Sequence, residues 1–480
     1  MPVVLAVDIG TTAAKALAMA DDGTDEGPTA RRPVPISHAG VADLDAVVHA
    51  VEELIDDAVG DLAPPPDAVA ISSAWHTLVG LDNDGRATTE LTTWLDGRAG
   101  SAAADLRGAL PDDDVRQRTG APFHPSLPPA RLAWFRRHRP DAFAITRRWC
   151  SLPEVLATRW FGAPVGPSSS IASASGLYDH RARLWDPEVL AAVGADATAL
   201  TPVDDEPRRG LSTEYRSRWP SLAGATWFPA IGDGAAAAVG GGCKVRDRAA
   251  LTVGTSAAVR VIMTLAERLA RPLPWPLFAY LLDDERAVVG AARSNAGNLL
   301  AWATEVLRLD SSDPVAAATS GREPGGHGLD VDASLVTERS PEWPVASSAR
   351  VAGVHGATTA LDIAQALLED AALGMGAAIE ALEAWTGALT LALGGGAVQS
   401  DGWCRLLADV TGHSLRRSSA VEASARGAAM VAFERLGVGV GALAEDDERV
   451  EPDAARAEIF ARLKEGHRRF GASWERDDPA

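Results

Sequence analysis

Cysteine is scarce: Cys150, Cys243 and Cys404 are the only three in 480 residues, widely spaced and odd in number. That excludes a disulfide framework, offers no zinc-ligand spacing and suits a reducing cytoplasm. Lysine is as rare, with Lys15, Lys244 and Lys464 standing against a background of arginine. The chain is also short of positive charge overall. Its formal net charge is -20 and its isoelectric point is near 4.9, which argues against nucleic acid or an anionic membrane as a partner. Any anionic substrate must therefore be drawn in by local cations. No apolar run approaches the roughly 20 residues of a membrane span, and the start of the chain shows no basic segment followed by an apolar core. A soluble cytoplasmic protein is expected. With 46% hydrophobic and 23% charged residues the composition is globular, and 480 residues are too many for one core, so two domains are predicted.

What the chain does have is a strand that breaks into a glycine-hydroxyl turn, twice. The first copy runs Val3 to Met19 through Asp8-Ile9-Gly10-Thr11-Thr12 and holds Lys15. The second runs Ala249 to Val261 through Val253-Gly254-Thr255-Ser256. Each reads as a β-hairpin whose tight turn exposes backbone N–H groups and hydroxyls. Glycine allows close approach to an anion, and the N–H groups are fixed donors for phosphate oxygens. Two such turns could grip a polyphosphate from opposite sides, although either alone also suits an ordinary hairpin.

Between the turns, apolar residues at helical spacing predict a helix over 43–62, closed by Pro64-Pro65-Pro66. Ala68 to Ser73 then reads as a buried strand running into Trp75-His76, which gives an α/β pattern. Further helices are predicted over 131–138, 154–161 and 362–385, and a closing helix with a loose tail over 446–479. Leu389 to Leu393 reads as a strand entering Gly394-Gly395-Gly396, and Ile231 to Gly234 as a strand end and turn before a helix. The small-residue run Ser168 to Gly176 suits a flexible linker. The domain boundary is placed at Lys244, giving domains 1–244 and 245–480.

Phosphoryl transfer needs a cation on the phosphates and a carboxylate near the accepting hydroxyl. Asp8, at a strand end before the first turn, and Asp233, between two glycines, meet that need. Each also suits a plain turn aspartate. The triple glycine would let an adenine lie against bare backbone.

These residues resemble the FGGY carbohydrate kinases of the actin, sugar kinase and Hsp70 superfamily, and their gluconokinase-like branch in particular. The similar stretches are Asp8 to Thr12, Trp75-His76 through Leu81-Asp82, Trp94 to Arg98, Thr119 to Pro125, Gly232 to Ala236, and Val253 to Ser256 with Arg260. Gly297-Asn298, Glu338 to Pro341, Gly394 to Gly396 and Glu422 to Ala428 follow in family order. The resemblance implies two ribonuclease-H-like α/β domains, as in actin-like ATPases, around a central cleft, with sugar on the first and ATP on the second.

It further implies Asp233 as general base and substrate contact, and Asp8, with Asp233, at Mg2+. Gly10, Thr11, Thr12, Lys15, Gly254, Thr255, Ser256 and Gly394 to Gly396 would hold the nucleotide, and Trp75, His76 and Arg98 the substrate. Departures from the family pattern are Ala13, Ala238, Ala257, Leu127 and Asp370. The function implied is ATP-dependent phosphorylation of gluconate or a similar sugar acid, with Arg98, Arg260, Arg293 and His76 as candidate anchors for the carboxylate. Xylulose, ribulose or another polyol is the alternative substrate. A switching ATPase or an inactive relative are the alternative classes. A homodimer is left open.

Overall fold

The computed structural model describes residues 2–474, apart from 26–28, 61, 63, 245, 310, 312, 419–421 and 440–447. Two mixed sheets carry the fold, and both hairpins lie at their centres. In the first sheet Val3–Ile9 pairs antiparallel with Ala13–Ala20, which pairs antiparallel with Ala30–Pro33. On the other side Val3–Ile9 runs parallel to Ala68–Ser73, whose outer neighbours are Thr226–Trp227 and Ile231–Gly232. The second sheet repeats the plan. Arg248–Val253 pairs antiparallel with Ala257–Thr264, which pairs with Arg286–Arg293, while Thr390–Gly394 and Leu415–Arg417 follow in parallel.

Alternation along the strands explains the layers. Leu5, Val7 and Ile9 face Val47, Val51 and Ile55 of the helix Leu44–Gly60. Leu251 and Val253 face the 27-residue helix Ala360–Thr386 and the helix Asp401–Thr411. The opposite faces, Val4, Ala6 and Leu17 in one sheet and Ala250, Ala258 and Ile262 in the other, share one central core. That core is filled by two alanine-rich helices, Asp233–Gly240 and Ala423–Arg435, packed on each other. The later helix lies against the first sheet and the earlier one reaches the second. A Cβ on Gly427 would sit 1.8 Å from the Ala236 carbonyl oxygen, so glycine is what permits this crossing. Ala238, one of the departures, is fully buried at that crossing.

The helical periodicity over 43–62 and 362–385 and the strand pattern over 68–73 and 389–393 match the elements to within a few residues. The tail after Trp474 lies outside the described residues, and the segment before the closing helix includes the short strand Glu448–Val450. One expectation is corrected. Ser168 to Gly176 is no linker: Ser169–Ser173 is a helical turn whose residues are all buried. Its serines bond backbone on both sides of the molecule. Ser170 Oγ accepts from Gly232 N at 3.1 Å, and Ser173 Oγ accepts from Leu281 N at 2.8 Å. Small size here serves burial rather than freedom.

Candidate active site

Asp233 opens a helix at the end of a short strand, flanked by glycines for a steric reason. A Cβ at Gly232 would lie 1.8 Å from the Trp75 indole nitrogen. One at Gly234 would lie 2.6 Å from the Trp75 ring and 2.7 Å from the Arg260 guanidinium. The Gly-Asp-Gly sequence thus lets an indole and a guanidinium close over the carboxylate. Gly234 N donates to Asp233 Oδ1 at 2.8 Å. Burial raises the Asp233 pKa, against the lowering effects of Arg260 and of the Gly234 and Trp75 N–H groups. A carboxylate moved toward neutrality yet still accepting hydrogen bonds is suited to take a proton.

Asp8 is buried and keeps one side-chain partner, Ser72, whose hydroxyl donates at 2.7 Å. Burial pushes its pKa up to about 7; the Ser72 bond opposes this, and the charge of Asp233 adds to it. Asp8 and Lys15 line a cavity of about 640 Å3 together with Thr252, Gly395, Gly396, Glu422 and Ser424. Ser424 also donates to the Asp233 carbonyl at 3.3 Å, which ties the cavity to the second carboxylate. Gly395 has φ 80, and a Cβ there would lie 2.6 Å from the Val253 carbonyl oxygen, so only glycine fits beside the second turn. Gly394 and Gly396 face open space. Lys15 is held by Glu422, across from Asp8 in the hairpin.

Both turns close by short backbone bonds, Gly10 N to Ala13 O at 3.2 Å and Gly254 N to Ser256 O at 2.9 Å. Thr12 and Thr255 are exposed, and Thr11 and Ser256 partly so.

Trp75 and His76 follow the strand Ala68–Ser73, and the Trp75 ring lies against Gly232 and Gly234 on either side of Asp233. Trp75 Nε1 donates to Ser170 O at 3.1 Å, and both rings meet Tyr280 edge-on at 5.0 and 5.4 Å. His76 has φ 65, a strained conformation held by its surroundings. Its Nδ1 lies 2.7 Å from the Ala174 carbonyl, so Nδ1 carries the proton and Nε2 is left an acceptor. Burial and the nearby Arg339 charge hold its pKa well below the usual range. His76 is thus neutral and no anchor for an anion.

The four candidate anchors separate cleanly. Arg98 bonds Asp96 at 2.8 and 2.9 Å and Glu90 at 2.8 Å, and stacks over Trp134. Arg293 is buried against Glu338 at 3.3 Å and Asp370 at 3.2 Å. Both have pKa values raised by their carboxylate neighbours, Asp96 and Glu90 for Arg98 and Glu338 and Asp370 for Arg293. Arg260 differs. Burial lowers it to about 10 despite Asp233, and its Nε, like that of Arg293, has no hydrogen-bond partner among the described residues. Arg339 is likewise lowered by burial, and lies 4.8 Å over the Trp94 ring.

Two comparisons decide the family. Residues 3–210 match the N-terminal domain, and 249–434 the C-terminal domain, of the FGGY family of carbohydrate kinases. The chain belongs to this family. These are phosphotransferases, and the fold is the two-domain, actin-like one. Among relatives of this FGGY kinase, a gluconokinase of Bacillus subtilis (strain 168) is 24% identical over 90% of this chain and 87% of its own. A glycerol kinase of Rhodospirillum rubrum is 26% identical over 93% and 92%. Solved structures of a ligand-bound xylulose kinase and of a gluconate kinase, both from Lactobacillus acidophilus, each superimpose with a TM-score of 0.86. Each covers 99% of both chains at 22% identity. The gluconokinase similarity agrees with the branch read from the motifs.

In this FGGY kinase the sequence reading named Asp8, Asp233, Trp75, His76 and Arg260, and the fold brings these together. It named Arg98, which the fold commits elsewhere. It missed Arg339 and Tyr280 as members of the cluster. Arg339 sat inside a quoted motif, Glu338 to Pro341. Tyr280 carried no signal beyond being one of three tyrosines.

Proposed function

We propose that this kinase transfers the γ-phosphoryl group of ATP to a hydroxyl of gluconate or a similar sugar acid. The observation that carries the acid is the pair Arg260 and Arg339. Both are buried cations beside Asp233, and burial lowers the pKa of each. A planar guanidinium binds a carboxylate through two oxygens at once and a hydroxyl far less well.

Asp233 takes the proton from the accepting hydroxyl as its oxygen bonds to the γ-phosphorus and the bond to ADP breaks. Neutral His76 offers Nε2 as acceptor to a second substrate hydroxyl, and Trp75 closes one side. The turns at Gly10-Thr11-Thr12 and Gly254-Thr255-Ser256 meet the phosphates. Gly394 to Gly396 border the adenosine, and Lys15 reaches a phosphate once released from Glu422. Asp8 and Asp233, two hard carboxylates near enough for the charge of one to raise the pKa of the other, suit Mg2+, which takes oxygen ligands and keeps several waters. When bound, that ion supplies charge neutralisation on the phosphates. The domains meet near Lys244, and three buried cysteines outside any disulfide suit work in the cytoplasm.

The test compares kcat/KM for gluconate, xylulose, ribulose and glycerol. Gluconate is expected to lead. A neutral ketose ahead by tenfold, about 1.4 kcal/mol of transition-state discrimination, gives the polyol reading its place.

A further inference from the structure

Arg339 owes its position to a buried ionic cluster that reaches across to the long helix. Its Nε donates to Ser294 Oγ at 3.2 Å and one terminal nitrogen donates to the Arg293 carbonyl at 3.3 Å. Its own backbone N–H donates to Glu338 Oε1 at 2.9 Å, and the same oxygen accepts from Ser294 N. Glu338 Oε2 takes the Asn295 amide at 3.1 Å and Arg293 at 3.3 Å. Arg293 in turn meets Asp370 at 3.2 Å, and Asp370 meets His467 of the closing helix at 2.7 Å. Glu338, Arg293 and Asp370 are almost fully removed from water.

Gly374, one helical turn beyond Asp370, makes room for this. A Cβ there would lie 1.9 Å from a terminal nitrogen of Arg293. Burial alone would raise the Asp370 pKa, yet the His467 bond and the Arg293 charge outweigh it and hold it low. Asp370 is therefore an anion at neutral pH. Without it, one buried carboxylate, Glu338, would face Arg293 alone. A buried ion pair that loses a partner leaves an uncompensated charge, which strongly destabilises the arrangement around it.

We propose that Asp370 is a positioning residue for the acceptor site: through Arg293 and Glu338 it fixes the orientation in which Arg339 faces the substrate. This rests on the reading of Arg339 as a substrate contact. A cation held by a network of fixed partners keeps its fork aligned, and acceptor binding depends on that alignment.

The experiment is steady-state kinetics of Asp370→Asn, Arg339→Ala and the double variant, with gluconate and ATP varied separately. Asp370→Asn is expected to raise KM for gluconate about tenfold while KM for ATP and kcat move less than threefold. In the Arg339→Ala background the same change should have little further effect, because coupled residues are non-additive. Arg293→Lys, which keeps the charge inside the cluster, is expected to show the same split and serves if Asp370→Asn does not fold. If Arg339→Ala raises KM for gluconate but Asp370→Asn and Arg293→Lys do not, the positioning role is overturned and the substrate reading stands. Equal losses in both KM values and kcat, additive with Arg339→Ala, would mark Asp370 as purely structural and overturn it as well. An unchanged KM in Arg339→Ala overturns the substrate reading beneath it.

Discussion

At the scale of the residue, the site is built from side chains whose charge the protein leaves partly unbalanced. Asp233→Asn preserves shape and removes basicity. Its kcat is expected to fall about 100-fold or more, the usual size of a general-base contribution, while ATP binding measured by calorimetry persists. Near wild-type turnover would remove Asp233 from that role. Asp8 makes a second prediction. Its carboxyl titrates near 7 in the fold, against 3.8 ordinarily. The native state therefore holds the proton more tightly than the unfolded chain, and stability from this group is lost as pH rises between those values. Three pKa units correspond to about 4 kcal/mol as an upper bound. Asp8→Asn is thus expected to melt higher than wild type at pH 8 and about equally at pH 4. A carboxylate that binds metal must be ionised, so the affinity of wild type for Mg·ATP should climb with pH through 7. Identical melting curves for the two proteins at pH 8 would show that Asp8 carries no such burden.

At the scale of the element, the central helix pair is where small residues matter most. Gly427→Ala places a Cβ against the Ala236 carbonyl and 2.8 Å from Gly240 N, backbone atoms that no rotamer change can move. The expected cost is about 1–3 kcal/mol, the usual range for overpacking, read as a lower apparent Tm. Gly108→Ala, in the helix Gly100–Ala109 with nothing within 4 Å, is the control and should be neutral or stabilising. Periodicity made the amphipathic and buried elements legible, because an apolar stripe or an alternating strand is a local signature. The helix at Ser169–Ser173 was illegible for the same reason. Its serines are buried by tertiary hydrogen bonds, and composition alone reads them as solvent-loving. The site followed a similar division. Asp8 and Asp233 announce themselves by position, one at a strand end just before the Gly10 turn and the other between Gly232 and Gly234. Choosing Arg260 and Arg339 over Arg98 required knowing which carboxylates each guanidinium turns to: Asp96, two residues away, and Glu90 take Arg98.

At the scale of the whole molecule, the same helix pair decides how two domains can move. Ala423–Arg435 is tied to the first sheet by Arg426, which bonds Asp25 at 2.7 Å and the Gly23 carbonyl at 2.7 Å in the turn after the strand Ala13–Ala20. Its far end, Glu434, meets Lys244 at 2.7 Å and Arg286 at 3.0 Å, next to the point where the chain first crosses between sheets. This pair packs on both sheets, and small shear between packed helices is one way that domains close. Phosphoryl transfer must keep water from the γ-phosphate, which argues for closure once both substrates are bound. Closure should therefore pivot near 244–248 and along the helix pair. Small-angle scattering is expected to show a smaller radius of gyration with a non-hydrolysable ATP analogue plus gluconate than with neither, and an intermediate or unchanged value with the analogue alone. An identical radius in all three states would mean a preformed rigid cleft. Water exclusion would then fall to the walls already in place, Trp75, Tyr280 and the buried Ser169–Ser173 turn that holds them.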